Sequence, residues 1–158
     1  GPVVLEWTNH QCPFVGKHYQ SGNMQRIQRR LVEAGATWVS VISSAPGKQG
    51  YVGADQANSL SARRGVYADR VLLDTDGSIG RAYGAKTTPQ MFLISETGDI
   101  IYMGAIDDQP SSRRSTISGA NNYVLAAWDA FTADNDVKTA RTKPYGCTVK
   151  YASIDEDK

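Results

Sequence analysis

The chain has 158 residues, of which 41% are hydrophobic and 21% are charged, with 17 lysines and arginines against 16 acids. These values are typical of one folded domain and exclude an intrinsically disordered chain. A net charge of +1 gives no electrostatic reason to expect nucleic acid or an anionic membrane as a partner. The apolar runs are too short for a transmembrane segment, and two cysteines are too few for a disulfide-rich scaffold.

Strand patterns alternate with helical patterns along most of the chain. Apolar and β-branched runs predict strands, and apolar residues at a 3.6-residue spacing predict helices. Two of the strand patterns flank the turn sequence Glu96-Thr97-Gly98-Asp99, which indicates a hairpin. The predicted strands cover residues 2–7, 37–42, 71–73, 90–94 and 100–103, and the predicted helices cover residues 13–34, 56–64, 77–83 and 120–131.

The predicted helices carry local start and stop signals. Residues 21–23 are expected to kink the first helix, and Asp55 and Asp76 are the expected N-caps of the next two. Alternating strands and helices imply parallel strands joined by right-handed crossovers, to which the hairpin adds antiparallel strands. The order therefore predicts an α/β fold with a central mixed β-sheet, helices on both faces and a C-terminal extension without clear periodicity.

Cys12 is expected at the amino end of the first helix, because Pro13 directly follows it and proline favours the first helical turn. A thiol placed there faces unpaired backbone N–H groups and the positive end of the helix dipole, and both favour the thiolate. His10 and His18 could add a nearby cation or a hydrogen-bond donor. Cys12 is therefore the predicted nucleophile, an accessible anion, and the alternative is a buried cysteine that only packs.

Cys147 lies in the final stretch, directly after Gly146, which permits a sharp turn. Three relations between the two cysteines are open from the sequence. Cys147 could resolve an oxidised Cys12, either as a sulfenic acid or as a mixed disulfide. The two could instead form a permanent disulfide that stabilises the fold by up to about 5 kcal/mol, or they could never meet.

Several stretches together resemble the thioredoxin fold and, within it, the redoxin branch of peroxiredoxin-like and TlpA-like proteins. They are the strand that leads into Cys12-Pro13 and the Thr88-Pro89 pair just before the hairpin. The tail over residues 143–151 is similar to the ending of an uncharacterised peroxiredoxin-like subgroup.

The chain departs from both parent motifs of that branch. Thioredoxins carry a Cys-x-x-Cys sequence, whereas Val15 stands where the second cysteine would be. Peroxiredoxins place a threonine three residues before the reactive cysteine, whereas Thr8 lies four residues before Cys12. The resemblance is therefore more specific for the fold than for the activity.

The resemblance implies a redoxin domain over residues 1–133 and an extension over residues 134–158 that packs on or near it. The implied activity is that of a thiol-dependent oxidoreductase of peroxiredoxin-like type, with Cys12 as the redox-active thiolate and Cys147 as the candidate resolving cysteine. Its expected partners are a thiol or peroxide substrate and an external thiol reductant. The expected substrate-binding residues are Thr88, Pro89 in a cis peptide bond, Thr8, His10 and Gln11.

Two further hypotheses come from other functional classes. One is a redox-inert thioredoxin-fold module that binds a partner or carries copper through Cys12, His10 and His18. Because the second cysteine of such copper carriers is missing, no metal site and no cofactor are predicted. The other is a fold in which a Cys12–Cys147 disulfide is purely structural. The subgroup likeness favours an exported, periplasmic bacterial protein, with a cytoplasmic location as the alternative.

Overall fold

The structure, a computed structural model, describes residues 1–153. The predicted helices and strands occur in the predicted order, and the structure adds two short strands that the sequence patterns did not indicate. The strands are β1 (Val3–Trp7), β2 (Thr37–Ile42), β3 (Arg70–Leu73), β4 (Thr87–Thr88), β5 (Gln90–Ile94), β6 (Ile100–Gly104) and β7 (Cys147–Thr148). The helices are α1 (Pro13–Gln20), α2 (Asn23–Glu33), α3 (Ala54–Arg64), α4 (Ser78–Tyr83) and α5 (Tyr123–Thr132), with a 3-10 turn over Arg114–Thr116.

Five strands form a central mixed sheet in the order β3-β2-β1-β5-β6. β1, β2 and β3 are parallel neighbours, β5 runs antiparallel to β1, and β6 pairs antiparallel with β5 as the predicted hairpin. The remaining strands, β4 and β7, pair with each other in a separate antiparallel ladder. The predicted mixed α/β sheet is confirmed.

Helices cover both faces of the sheet, as predicted. Side chains alternate across β1, so Val4 packs in the cluster that contains residues of α1, α2 and α5, whereas Trp7 packs on the opposite face. There the Trp7 ring lies 5.5 Å from the Tyr83 ring of α4 and 5.3 Å from the ring of Phe92. Burying these large rings removes apolar surface from water, which stabilises the packing of α4 on the sheet.

The predicted kink in the first helix is a full break. α1 ends at Gln20, and α2 begins after Gly22, whose φ of 79° lies in the left-handed region that glycine adopts most readily. The two helices nevertheless keep one apolar face, since Val15, Met24 and Leu31 all join the same buried cluster.

The predicted N-caps of the next two helices are wrong. α3 begins at Ala54 after Gly53, so Asp55 lies within its first turn. α4 begins after Gly77, and Asp76 only accepts a hydrogen bond from the Ser78 N–H. Asp74 takes the role at α4 instead: its buried carboxylate accepts the N–H groups of residues 79 and 80, because it leaves β3 aimed at the positive end of the helix.

Residues 140–152, here named the strap, lie across the domain. Near its start, Thr142 donates its N–H to the Met103 carbonyl (3.1 Å) and accepts the Ala105 N–H through Oγ1 (2.9 Å). Near its end, the Tyr151 hydroxyl donates to the Ala85 carbonyl (2.7 Å). Both ends of the strap are therefore anchored to the domain independently of its middle. Residues 154–158 of the predicted extension lie outside the described residues. Within residues 1–153, no helix has the length and apolar character needed to cross a membrane.

Candidate redox site

Cys12 and Cys147 form a disulfide bond, with their Cα atoms 5.9 Å apart across a sequence separation of 135 residues. The possibility that the two cysteines never meet is thereby excluded. Cys12 is only 1% exposed, whereas Cys147 is half-buried. In this oxidised form Cys12 is therefore not the accessible anion expected from the sequence, because the strap covers it.

Cys12 is the N-cap residue of α1, as the Cys12-Pro13 sequence predicts. In the disulfide form, and within the part of the chain that the structure describes, no helix N–H donates to the side chain of Cys12. Its sulfur lies 3.3 Å from the Thr88 carbonyl oxygen, a close contact and not a hydrogen bond, because a disulfide sulfur carries no proton. Breaking the bond would leave a sulfur at a helix tip whose first-turn N–H groups have no partner inside the helix.

The β4–β7 ladder brings the two cysteines together. Thr88 of β4 stands opposite Cys147 of β7, and the Thr88–Pro89 peptide bond is cis, as expected. Gly146, which precedes β7, has a φ of 144°, and a Cβ atom at this position would collide with the Thr88 carbonyl oxygen. The close approach of the strap to Thr88 therefore requires glycine at position 146.

Replacing Gly146 with alanine is expected to favour the open, reduced form. A Cβ at a φ that only glycine adopts readily costs about 1–3 kcal/mol, so the equilibrium should shift towards two thiols by about fivefold or more. The measurement is the fraction of alkylatable thiol at a fixed ratio of reduced to oxidised glutathione. Gly119→Ala is the matched control, because a Cβ at Gly119 meets no atom within 4 Å. Equal shifts in the two variants would contradict the close fit of the strap.

Tyr145 holds the middle of the strap on the domain. Its hydroxyl donates to Asp107 Oδ1 (2.5 Å) and lies 3.4 Å from His18 Nε2. Its ring packs edge-on against Phe14 of α1, with the ring centroids 5.8 Å apart. Lys17 Nζ lies 5.6 Å from the centre of the same ring. Burial and the bond to Asp107 raise the pKa of Tyr145, so the hydroxyl keeps its proton at neutral pH.

The two histidines do not supply the cation that the sequence suggested. Burial lowers the pKa of His18 to about 4, although the neighbouring Asp107 acts against that shift. Burial also lowers the pKa of His10, helped by the charges of Arg64 and Arg63. Both rings are therefore neutral near pH 7, and a Cys12 thiolate would depend on the helix end for stabilisation.

The structure places His10 and Gln11, but not Thr8, in one cleft with Cys12. Gln11 is exposed and binds the loop before α3, since its Oε1 accepts the Gly50 N–H at 2.9 Å. Thr8 Oγ1 is buried and has no hydrogen-bond partner within residues 1–153. His10 is half-buried and lines an open cleft of about 310 Å³ together with Gln11, Cys12 and Arg114.

A buried carboxyl group that the sequence reading missed lies at the centre of β1. Glu6 is fully buried and accepts hydrogen bonds from the Tyr19 hydroxyl (2.6 Å), Trp38 Nε1 (2.9 Å) and Ser40 Oγ (2.9 Å). Gln28 Nε2 completes the set at 3.2 Å. Burial raises the pKa of Glu6 even though these donors favour the charged form. Glu6 therefore ties β1 to β2, α1 and α2 through polar contacts inside the core.

Glu6→Gln is expected to change how stability depends on pH. The folded-state pKa of Glu6 lies above its ordinary value of 4.5, so its contribution to stability is complete below pH 4.5 and is lost as pH rises through the raised pKa. Glutamine does not titrate, so the wild type should lose stability relative to the variant as pH rises from 4.5 to 8. Urea unfolding of both proteins across that range is the measurement. The exposed Glu33→Gln variant should track the wild type, and parallel curves for all three proteins would contradict a raised pKa.

Sequence signals for the missed residues existed but were weak. Glu6 is a lone acid in an otherwise apolar strand, and Asp107 is the first of two acids that follow the hairpin. Tyr145 stands two residues before Cys147, but its contact with Asp107 depends on the path of a tail that has no periodic pattern. Across the described part of the chain, no three His, Cys, Asp or Glu side chains are grouped so as to hold a metal ion.

Comparison with known proteins gives matches at the level of structure. No family model matches the chain, and no curated protein matches its sequence. A hypothetical protein of Sinorhizobium meliloti is 22% identical with a TM-score of 0.79, covering 96% of this chain and 80% of that protein. An uncharacterized conserved protein of Geobacillus kaustophilus is 23% identical with a TM-score of 0.77, covering 96% and 77%.

A third similar structure carries a functional description. It is a secreted Mycobacterium tuberculosis disulfide oxidoreductase homologous to E. coli DsbE, 18% identical with a TM-score of 0.51, covering 75% of this chain and 78% of that protein. Identities this low are evidence for the fold alone, because one fold supports many activities. A thioredoxin-like protein whose solution structure is known is 12% identical with a TM-score of 0.55, covering 75% of this chain and 73% of that protein. Together with the mixed sheet and its covering helices, these matches show that the chain has the thioredoxin-like fold.

Proposed function

We propose that the protein is a thiol–disulfide oxidoreductase in which Cys12 and Cys147 form the working pair. One observation carries the proposal: a cysteine at the tip of α1 is bonded to a half-buried cysteine on a strap that is anchored on both sides of the bond. The helix tip can stabilise a Cys12 thiolate when the bond opens. The anchored strap keeps Cys147 close enough to re-form it.

Reduction begins at the sulfur that is easier to reach. An external thiolate attacks Cys147, the new mixed disulfide forms on Cys147, and the Cys12 sulfur leaves with the bonding electron pair as a thiolate. Leaving is favoured there because the helix end lowers the pKa of a thiol, and thiols of lower pKa leave faster. A second external thiolate then attacks the external sulfur of this mixed disulfide. An external disulfide forms, and Cys147 is released as a thiolate.

Oxidation returns the pair to the disulfide. The Cys12 thiolate attacks a substrate disulfide, forms a mixed disulfide and expels one substrate thiolate. Cys147, as a thiolate, then attacks the Cys12 sulfur, which restores the Cys12–Cys147 bond and releases the second substrate thiolate. The disulfide oxidoreductase of M. tuberculosis with the same fold supports this choice of substrate class.

Peroxide is the second candidate oxidant, favoured by the same pairing of a helix-tip cysteine with a resolving cysteine. The Cys12 thiolate would attack one peroxide oxygen, giving a sulfenic acid and hydroxide in the case of hydrogen peroxide. Cys147 would then displace water from the sulfenic acid and form the disulfide. Each cycle would consume two external thiols, as in the peroxiredoxin-like hypothesis.

The test is catalysed turnover of a reductant. Oxidised protein is supplied with dithiothreitol together with either cystine or hydrogen peroxide, and the loss of dithiothreitol thiols is followed above the protein-free rate. Faster turnover with cystine supports thiol–disulfide exchange, whereas faster turnover with peroxide supports peroxidase activity. Turnover no faster than the protein-free rate with both oxidants would contradict the proposal. The hypothesis of a purely structural disulfide would then remain.

An exported location is part of the same proposal. Working and structural disulfides persist mainly in oxidising compartments such as the bacterial periplasm. The M. tuberculosis protein of similar fold is secreted, which supports the expectation. Fractionation of the native host, with the protein detected by antibody, tests this location directly.

A further inference from the structure

The strap holds a cysteine-bearing segment against the domain in an extended form. Three consecutive residues of this segment, Tyr145, Gly146 and Cys147, each meet a different feature of the domain. Cys147 bonds to Cys12 and pairs with Thr88 of β4. The middle of the strap thus occupies the place beside Cys12 where the reacting cysteine of another chain would have to lie.

Tyr145 lies in a slot beside Asp107 and His18, where its hydroxyl both donates and accepts a hydrogen bond. Asp107 Oδ1 accepts its proton, and Asp107 is 2% exposed. His18 is fully buried, and its Nδ1 accepts a hydrogen bond from Asn23 Nδ2, so Nε2 carries the ring proton and faces the hydroxyl oxygen. Phe14 packs against the ring. A phenylalanine in this slot would leave both polar groups without the hydroxyl.

The position between the tyrosine and the cysteine accepts only glycine. A Cβ atom on Gly146 would collide with the Thr88 carbonyl oxygen, and the φ of 144° disfavours any other residue. The Thr88 carbonyl belongs to the domain and not to the strap. Any chain that presents its cysteine to Cys12 along the same path therefore meets the same restriction.

The slot can be vacated without loss of the strap anchors. Thr142 binds the domain before the segment 143–148, and Val149, Lys150 and Tyr151 bind it after that segment. Once the disulfide opens, this segment can lift while both anchors remain. Asp107 and His18 stay behind on the domain, where buried polar groups favour a new hydroxyl partner.

We propose that the slot between Asp107, His18 and Thr88 binds a partner polypeptide in which tyrosine, glycine and the reacting cysteine follow one another. The strap is the internal copy of this recognition sequence and covers the slot in the oxidised form. This inference rests on the proposed function, because it needs Cys12 to exchange with a cysteine of another chain.

The test uses full-length Cys147→Ser protein, in which Cys12 is the remaining thiol. The peptide with the sequence of residues 143–150 is supplied as its mixed disulfide with thionitrobenzoate. The Cys12 thiolate attacks the peptide sulfur, the Cys12–peptide bond forms, and coloured thionitrobenzoate leaves as a thiolate with the bonding electrons. Rates are compared for this peptide and for versions with phenylalanine at the tyrosine or alanine at the glycine. The protein's own strap competes equally with all three.

The original peptide is expected to react about tenfold or more faster than either altered peptide. In protein that also carries Asp107→Ala, the preference for tyrosine over phenylalanine should fall, because the hydroxyl has lost its acceptor and keeps only its contact with His18. The three peptides are compared on Cys147→Ser protein, in which the slot is unaltered. That comparison therefore remains a valid test even if Asp107→Ala protein fails to fold.

Other outcomes separate this inference from the proposed function. Equal rates for the three peptides, with Cys12 still reacting with dithiobis(2-nitrobenzoate), would overturn the proposed recognition sequence. The proposed function would still stand. Absence of reaction with every disulfide would overturn both. A covalent dimer that links Cys12 of one wild-type copy to Cys147 of another would show that the slot binds a second copy of this chain. That result would overturn the proposal of a separate partner polypeptide.

Discussion

Cys12→Ser protein is expected to turn over dithiothreitol at the protein-free rate, with either cystine or peroxide as oxidant. The sulfur at the tip of α1 is the proposed attacking atom, and a serine hydroxyl there has neither the acidity nor the nucleophilicity of a thiol. Cys147 alone lies on a strand without a helix end to stabilise its thiolate. The measurement is the loss of reductant thiols with time.

Fold integrity must be separated from chemistry in that comparison. Opening the disulfide removes the closure of a very large loop, which in the chain-entropy model stabilises by about 5 kcal/mol. The matched reference is therefore Cys147→Ser, which lacks the same bond and keeps Cys12. If Cys12→Ser consumed reductant as fast as the wild type, Cys12 could not be the attacking thiolate and the proposed function would be wrong.

Cys147→Ser protein is expected to turn over dithiothreitol more slowly than the wild type but to keep its first step. Cys12 can still attack a substrate disulfide, but serine cannot attack the resulting mixed disulfide, so the substrate stays attached to Cys12 until an external thiol removes it. Mass spectrometry after mixing with cystine should find one half-cystine per protein, removable by dithiothreitol. With peroxide, the same variant should trap a sulfenic acid that dimedone labels.

A Cys147→Ser protein that turns over at the wild-type rate would remove Cys147 from the mechanism. An external thiol would then resolve Cys12 directly, and the strap would serve only to cover the site. A variant that forms no adduct at Cys12 at all would instead point to an unreactive sulfur and to the structural disulfide.

The architecture could be predicted from the sequence because its signals are local. Apolar runs and 3.6-residue spacing define β1, β2, the hairpin and α5, and Pro13 places Cys12 at a helix start. The N-caps of α3 and α4 were wrong because glycines precede both helices. The buried carboxylate of Asp74, which directly follows β3, accepts the first N–H groups of α4 in place of Asp76.

The candidate site was predicted only in part, for the same physical reason. Cys12 was predicted from the local Cys12-Pro13 signal, and Thr88 and Pro89 from the resemblance to the redoxin branch; the structure brings all three together with Cys147. Thr8, His10 and Gln11 were expected as substrate-binding residues from the same resemblance. His10 and Gln11 line a cleft together with Cys12, whereas Thr8 does not line it.

The features of the site that could not be predicted from the sequence depend on the path of the strap. Its path is set by long-range contacts of Thr142, Tyr145 and Tyr151 and not by periodicity, so the slot formed by Asp107 and His18 had no sequence signature. Burial also leaves His18 and His10 neutral, whereas a cation was expected there. His18 became a neutral hydrogen-bond donor to the strap instead of a cation beside Cys12.

The redox equilibrium of the Cys12–Cys147 bond tests the working-pair assignment most directly. Wild-type protein is equilibrated in glutathione buffers of stepped ratio, quenched with acid and alkylated, and its thiols are counted by mass spectrometry. A working pair predicts a midpoint between about −270 and −120 mV, the range of thioredoxin-fold redox enzymes. A midpoint below about −300 mV, typical of structural disulfides, would contradict the account.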